Sequence, residues 1–143
     1  MCDTDSIIYV YDPSPGMYNV TQGKKLGEWK EEKESIKGIV TFVGWGPKTY
    51  GLKMKDGSTK VKAKGLSLNY ATQELFNFNV MEAEMLKFLR GEESPPVYVP
   101  QFTFEWSPTL DMQTVYNLKE ARINRDDLKG ELRGNYLYPF GHE

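Results

Sequence analysis

The sequence predicts an α+β fold. Runs of β-branched and aromatic residues occupy the first and last thirds of the chain, and Pro/Gly breaks bound them. Between them lies a stretch whose apolar residues recur at helical spacing, and one pair of strand-like runs is joined through Asp-Gly. Strands followed by a helical segment and then further strands, rather than a strict alternation of the two, is the α+β pattern.

The first strand candidate is Ser6 to Tyr11, stopped by Asp12-Pro13-Ser14-Pro15-Gly16, a run that cannot continue a ladder. Gly23 to Ser35 balances its Lys and Glu residues and reads as an exposed loop or short helix carrying Leu26 and Trp29. Ile36 to Val43 is a strand by residue type, with Gly44-Trp45-Gly46-Pro47 as a break. Lys48 to Met54 and Thr59 to Leu66 form two arms around Lys55-Asp56-Gly57-Ser58, and Asp-Gly there predicts a type I′ hairpin. In the second arm the period of two puts Lys60, Lys62 and Lys64 on one face and Val61 and Ala63 on the other.

From Thr72 to Arg90 the residues Leu75, Phe76, Met81, Met85, Leu86 and Leu89 predict helix, with Asn79 as a break and Gly91 past the end. Leu75, Phe76, Phe88 and Leu89 read as core, and Trp29 and Trp106 as packing residues. After Glu92-Glu93-Ser94-Pro95-Pro96, Val97 to Trp106 is a strand that Pro100 confines to an edge. Met112 to Leu118 is a further strand candidate, Asn124 to Arg133 is polar, and Asn135 to Phe140 is a short aromatic finish.

Composition closes several chemical routes. With 143 residues the chain is the size of one domain, and with one Cys and one His it can build neither a disulfide framework nor a Cys/His zinc cluster. Any metal chemistry rests on carboxylates, and Cys2 and His142 read as bystanders. Charged residues at 27% and aromatics at 13% describe a globular chain. No apolar run reaches the ~20 residues of a membrane helix and no secretory signal is present, so the chain reads as soluble and intracellular, with no membrane partner.

The net charge of −2 is unevenly spread. The window from Lys48 to Lys64 holds six Lys and one Asp, a local +5. Taken alone, such a run suits a lysine-blunted edge strand as well as it suits an electrostatic footprint for a polyanion.

The most informative residues are Asp3-Thr4-Asp5-Ser6, ahead of an apolar strand. On an extended segment side chains two apart share a face, so Asp3 and Asp5 could approach one hard cation. Mg²⁺ takes one or two carboxylates together with water and substrate phosphates, the arrangement used in nucleotidyl transfer. An isolated Asp-x-Asp also fits a capped turn. A calcium loop is excluded, because Ile7 and Ile8 stand where that loop needs an oxygen ligand and a glycine.

The order of Asp3-Thr4-Asp5-Ser6, then Lys25-Leu26-Gly27-Glu28-Trp29, then Lys48-Thr49-Tyr50, then Lys62-Ala63-Lys64-Gly65 resembles the C-terminal part of family B DNA polymerases. It is most similar to the protein-primed branch found in organelles, viruses, linear plasmids and Polinton-type transposons. In that family Asp-Thr-Asp-Ser is the palm hairpin, often preceded by Tyr-Cys or Tyr-Met, and Met1 stands here in the Tyr position. The resemblance implies that Asp5 binds the catalytic Mg²⁺ ions and that Asp3 supports the site. It implies that Lys48 and Tyr50, the family's Lys-x-Tyr element, hold the primer-template DNA, and that Lys62 and Lys64, on the strand from palm to thumb, lie near DNA phosphate. Asn135 to His142 resembles the ending of the transposon members. By resemblance, residues 1–66 are the C-terminal part of an antiparallel palm-type sheet and residues 67–143 a thumb-like region, with a helical segment near 72–90 and a second small β-rich part.

Two family elements do not occur in these residues: the upstream palm Asp-x-x-Ser-Leu-Tyr-Pro and the Lys…Asn-Ser-x-Tyr-Gly helix that grips the deoxynucleoside triphosphate. The chain therefore reads as a fragment of a DNA-directed DNA polymerase, inactive alone, whose partners are primer-template DNA and the remaining polymerase portion or a terminal protein. A non-catalytic DNA-binding remnant is the alternative. An Asp-x-Asp sugar-nucleotide transferase ranks third, since no nucleotide-binding βαβ pattern precedes the motif.

Overall fold

The computed structural model describes every residue except Thr4 and Glu143, and of Cys2 and Asp3 the backbone alone. Its architecture is α+β with antiparallel sheets. A short hairpin joins β1 (Cys2–Asp3) to β2 (Ser6–Ile7), with Cys2 opposite Ile7 and Asp3 opposite Ser6. The Met1 amine donates to the Ile8 carbonyl at 2.7 Å and the Ile8 N–H to the Met1 carbonyl at 2.8 Å, which closes the hairpin's open end. The strand predicted over Ser6 to Tyr11 is thus only two residues long. Beyond Ile8 no neighbouring strand supplies ladder partners, and residues 8–11 run as irregular chain.

A central sheet follows the helix α1 (Lys33–Lys37), in the order β3 (Ile39–Gly46), β4 (Thr49–Met54), β5 (Thr59–Lys62). Gly44-Trp45-Gly46 is no break. It is a bulged continuation of β3, in which the glycines permit the register shift and Trp45 is almost fully buried. Pro47 and Lys48 then make the turn into β4. Lys48 holds φ +60°, the left-handed conformation a type II turn demands at its third position and normally gives to glycine. The β4–β5 hairpin forms where Asp-Gly predicts it, but not as type I′. Only Gly57 has positive φ, at +82°, and the Gly57 N–H donates to Met54 O at 3.0 Å while the Met54 N–H donates to Ser58 O at 2.9 Å. That is a three-residue loop ending in a glycine bulge.

The helical stretch is two helices, α2 (Tyr70–Leu75) and α3 (Phe78–Leu89). The break falls at Phe76-Asn77 rather than Asn79, because the side chain of Asn77 caps α3 by accepting from the Val80 N–H. Asn69 and Thr72 form a reciprocal cap on α2. At the end of α3, Gly91 (φ +75°) donates to Phe88 O and Glu92 to Lys87 O, both at 3.0 Å, a Schellman motif.

A long ribbon of β6 (Val97–Trp106) and β7 (Met112–Ala121) comes next, paired without interruption from Val97–Ala121 to Trp106–Met112. Pro100 lies in a two-stranded sheet, where every strand is an edge. The polar tail holds a 3-10 turn at Arg125–Leu128 and a last hairpin, β8 (Gly130–Arg133) with β9 (Tyr136–Pro139). Gly134, φ +62°, occupies the first position of its two-residue turn.

The two faces of the central sheet differ. One packs Val43 and Trp45 against Phe76, Phe78, Met81, Val99 and Ala121, so the main core draws on both sides of residue 66. The Trp45 indole N–H donates to Met81 O at 3.0 Å and its ring meets Phe76 edge-on at 5.2 Å. Gly51 sits where α3 crosses the sheet; a Cβ there would lie 3.0 Å from the Phe78 ring. The buried Gln101 amide ties β6 to the chain before α2, its Oε1 accepting from the Ser67 N–H at 2.7 Å and its Nε2 donating to Ser67 O at 3.2 Å. Among the residues predicted as core, Phe76 is fully buried but Leu75 is half exposed; Trp106, predicted to pack, lies largely in solvent. Among the described residues no helix is long and apolar enough to cross a membrane.

Candidate functional site

The opposite face of the sheet carries the residues singled out from the sequence. On β4 the period of two puts Tyr50, Leu52 and Met54 in step, and the antiparallel register sets Lys62 opposite Tyr50 and Lys60 opposite Leu52. The face of Lys60 and Lys62 is therefore apolar along its other half. Tyr50, Leu52 and Met54 are buried, with Ile8 and Ile39 packed on them. Tyr50 is 7% exposed and its ring lies 6.0 Å from the Lys62 ammonium. Its burial was legible, because it keeps step with Leu52 and Met54.

The N-terminal hairpin lies over this face. Asp5 is exposed in the turn between β1 and β2, and the chain from Asp5 to Tyr9 forms one wall of a groove of about 450 Å³. Tyr50, Leu52, Lys60 and Lys62 line it from the sheet, and Gln22, Trp29, Glu31, Glu32, Glu34 and Ser35 line it as well. Asp3 pairs with Ser6 across the hairpin, so the chain reverses between these two residues. The reading of Asp3 as a ligand lies outside the described residues, as its side chain is not among them.

The fold brings Asp5, Tyr50 and Lys62 to one groove and sets the other two candidates apart. Lys48 is exposed in the β3–β4 turn. Lys64 follows β5, its backbone N–H donating to the Thr49 hydroxyl at 3.2 Å, and its side chain lines a separate, smaller cavity with Trp45, Glu120 and Asp127. Lys48, Lys62 and Lys64 all lie toward the end of the sheet away from the Asp-Gly loop.

Tertiary structure also changes the charge. Lys60 is ion-paired with Glu34 at 2.6 Å, and the Lys60 hydrogen bond holds the Glu34 carboxyl below its ordinary pKa, with the Lys60 and Lys62 charges adding to the effect. At the far end, Asp56 is held down to about 2, first by hydrogen bonds from the Ser58 hydroxyl and backbone N–H, then by Lys37 at 3.3 Å. Around the groove Lys30, Lys60 and Lys62 face Asp5, Glu28, Glu31, Glu32 and Glu34. The +5 of the isolated hairpin is thus answered by the acids before and within α1, a stretch whose balanced charge reads in the sequence as an exposed loop or short helix.

An exposed carboxylate at a turn, such as that of Asp5, leaves room for the waters and phosphate oxygens that complete the octahedron of Mg²⁺. Among the described residues no group of three His, Cys, Asp or Glu side chains could hold a metal. Among the described residues the groove offers the exposed carboxylate of Asp5, the glutamates before and within α1, and the lysines of β5.

No protein-family model matches the chain, and neither a curated protein nor a solved structure does so.

Proposed function

We propose that the chain is the C-terminal palm and thumb portion of a protein-primed family B DNA polymerase, with residues 1–66 belonging to the palm and 67–143 to the thumb. The observation that supports this reading is that Asp5 and Ser6 line the same groove as Tyr50 and Lys62, so that a carboxylate and an ammonium share it. Asp5 would hold Mg²⁺, whose chemistry is to neutralise charge on the triphosphate and the attacking oxygen. Lys62 would contact the phosphate backbone, Lys48 and Lys64 would extend that contact along the end of the sheet, and Tyr50 would act from below by holding Lys62 in place. With the second palm aspartate on another segment, the chain by itself would not polymerise.

The test supplies an upstream palm segment carrying that aspartate and measures primer extension by the mixture. Extension by the wild type and its loss in Asp5→Ala is the expected result; equal extension by both removes the metal role. A non-catalytic DNA-binding remnant is the second reading, favoured by the lysines that crowd the sheet end. It predicts binding to primer-template that Asp5→Ala leaves unchanged and that Lys48→Glu with Lys62→Glu abolishes.

A further inference from the structure

The ribbon β6–β7 turns its more apolar face away from the core. Its register is unbroken, so alternate residues and their direct partners share a face. The face turned to the core is apolar at its root, through Val97, Val99 and Ala121, and beyond that is mostly polar, with Thr103, Glu105, Gln113 and Asn117 around a single half-buried Val115. The outer face carries Tyr98, Phe102, Phe104 and Trp106 from β6 and Met112, Tyr116 and Leu118 from β7, and nothing among the described residues covers it. Phe102 is 67% exposed, Phe104 74% and Trp106 68%, with the other four between 55% and 62%.

We infer that two copies of this chain associate by packing the outer faces of their β6–β7 ribbons against each other. The exposed apolar area supports this occupant. An aromatic side chain offers roughly 200 Å², so seven side chains exposed to this extent present roughly 800 Å², beyond the patch of a few hundred Å² typical of a monomer. It equals what one partner contributes to a standard interface, about 800 Å². Charge supports it too. The only ionisable carboxylate on this face, Glu120 at the root, is paired with Arg122 at 3.2 Å, and no Lys or Arg of the ribbon points outward. An uncharged, aromatic surface is complementary to itself across a two-fold axis and offers nothing to a polyanion. A two-stranded ribbon is marginal alone, and a second ribbon laid on it supplies the missing layer.

Sedimentation equilibrium of the full chain over a wide concentration range tests this. The expected result is a monomer–dimer equilibrium that Phe102→Ser with Phe104→Ser weakens by about 30-fold or more, the loss typical of a central aromatic anchor. Both side chains are exposed in the monomer, so the variant should keep the wild-type circular dichroism spectrum; if it does not, Tyr116→Ser serves in its place. Gln113→Glu, on the polar face, should leave the equilibrium unchanged. A monomer at every concentration overturns the inference and leaves the face to another partner. A dimer that survives the outer-face substitutions, or that Gln113→Glu disrupts, overturns it as well.

Discussion

Glu34→Gln separates the electrostatics of the fold from those of the isolated hairpin. Glu34 and Lys60 are 2.6 Å apart and partly shielded, with the carboxylate 22% and the ammonium 38% exposed, so the lysine's charge is spent within the protein. Removing the carboxylate should cost about 0.5 kcal/mol of stability, the range of a partly exposed pair. It should also release one cation toward DNA phosphate. Each such contact adds about −0.9 to the slope of log K against log salt on duplex DNA, so a fourfold drop in salt should strengthen binding by about 3.5-fold more in the variant than in the wild type. Fluorescence anisotropy with labelled primer-template at several salt concentrations reads the slope. Lys62→Ala, which removes a lysine opposite Tyr50, should make it shallower by about 0.9. A slope identical in wild type, Glu34→Gln and Lys62→Ala would refute the assignment of this face to DNA.

Three further predictions concern the scaffold. Gly51→Ala brings a Cβ to 3.0 Å from Phe78 and 3.3 Å from the Met81 sulfur, and should lower stability in chemical denaturation by about 1–3 kcal/mol through overpacking. Lys48→Gly relieves a left-handed lysine at φ +60° and should raise stability by about 1 kcal/mol; a loss would show that the lysine side chain contributes more than the strain costs. Because folding lowers the Asp56 pKa from 3.8 to about 2, its ionised form favours the native state above the unfolded value, and that contribution fades as pH falls from about 4 to about 2. Thermal melts should accordingly show a wild-type advantage over Asp56→Asn that is constant above pH 5 and shrinks through this window.

Elements that announce themselves locally were legible in the sequence. Asp56-Gly57 marked the central hairpin and Gly91 the end of α3, where a Schellman motif stands. Val97 to Trp106 was a strand to the residue. Where tertiary context decides, the reading failed. Gly44-Trp45-Gly46 has the composition of a loop, but a bulge turns the glycines into a device that aims Trp45 at the core. Ser6 to Tyr11 has the composition of a strand, but a ladder needs partners and only Cys2 and Asp3 supply them. The β8–β9 hairpin carried a signal in Gly134-Asn135 that the polarity of its first arm, Gly130 to Arg133, obscured. For the site, sequence order named Asp5, Tyr50 and Lys62 but not their common groove. The neutralising role of Glu34 was out of reach, because it lies 26 residues from Lys60 and is set by how α1 packs.

A groove that faces nucleic acid should respond first when primer-template DNA is titrated into the labelled chain at low ionic strength and followed by amide NMR. Perturbations should concentrate at Asp5, Ser6, Lys60 and Lys62, extend to Lys48 and Lys64 at the sheet end, and be reversed by salt. Perturbations confined to the β6–β7 ribbon, or none at all, would contradict a nucleic-acid role for the groove.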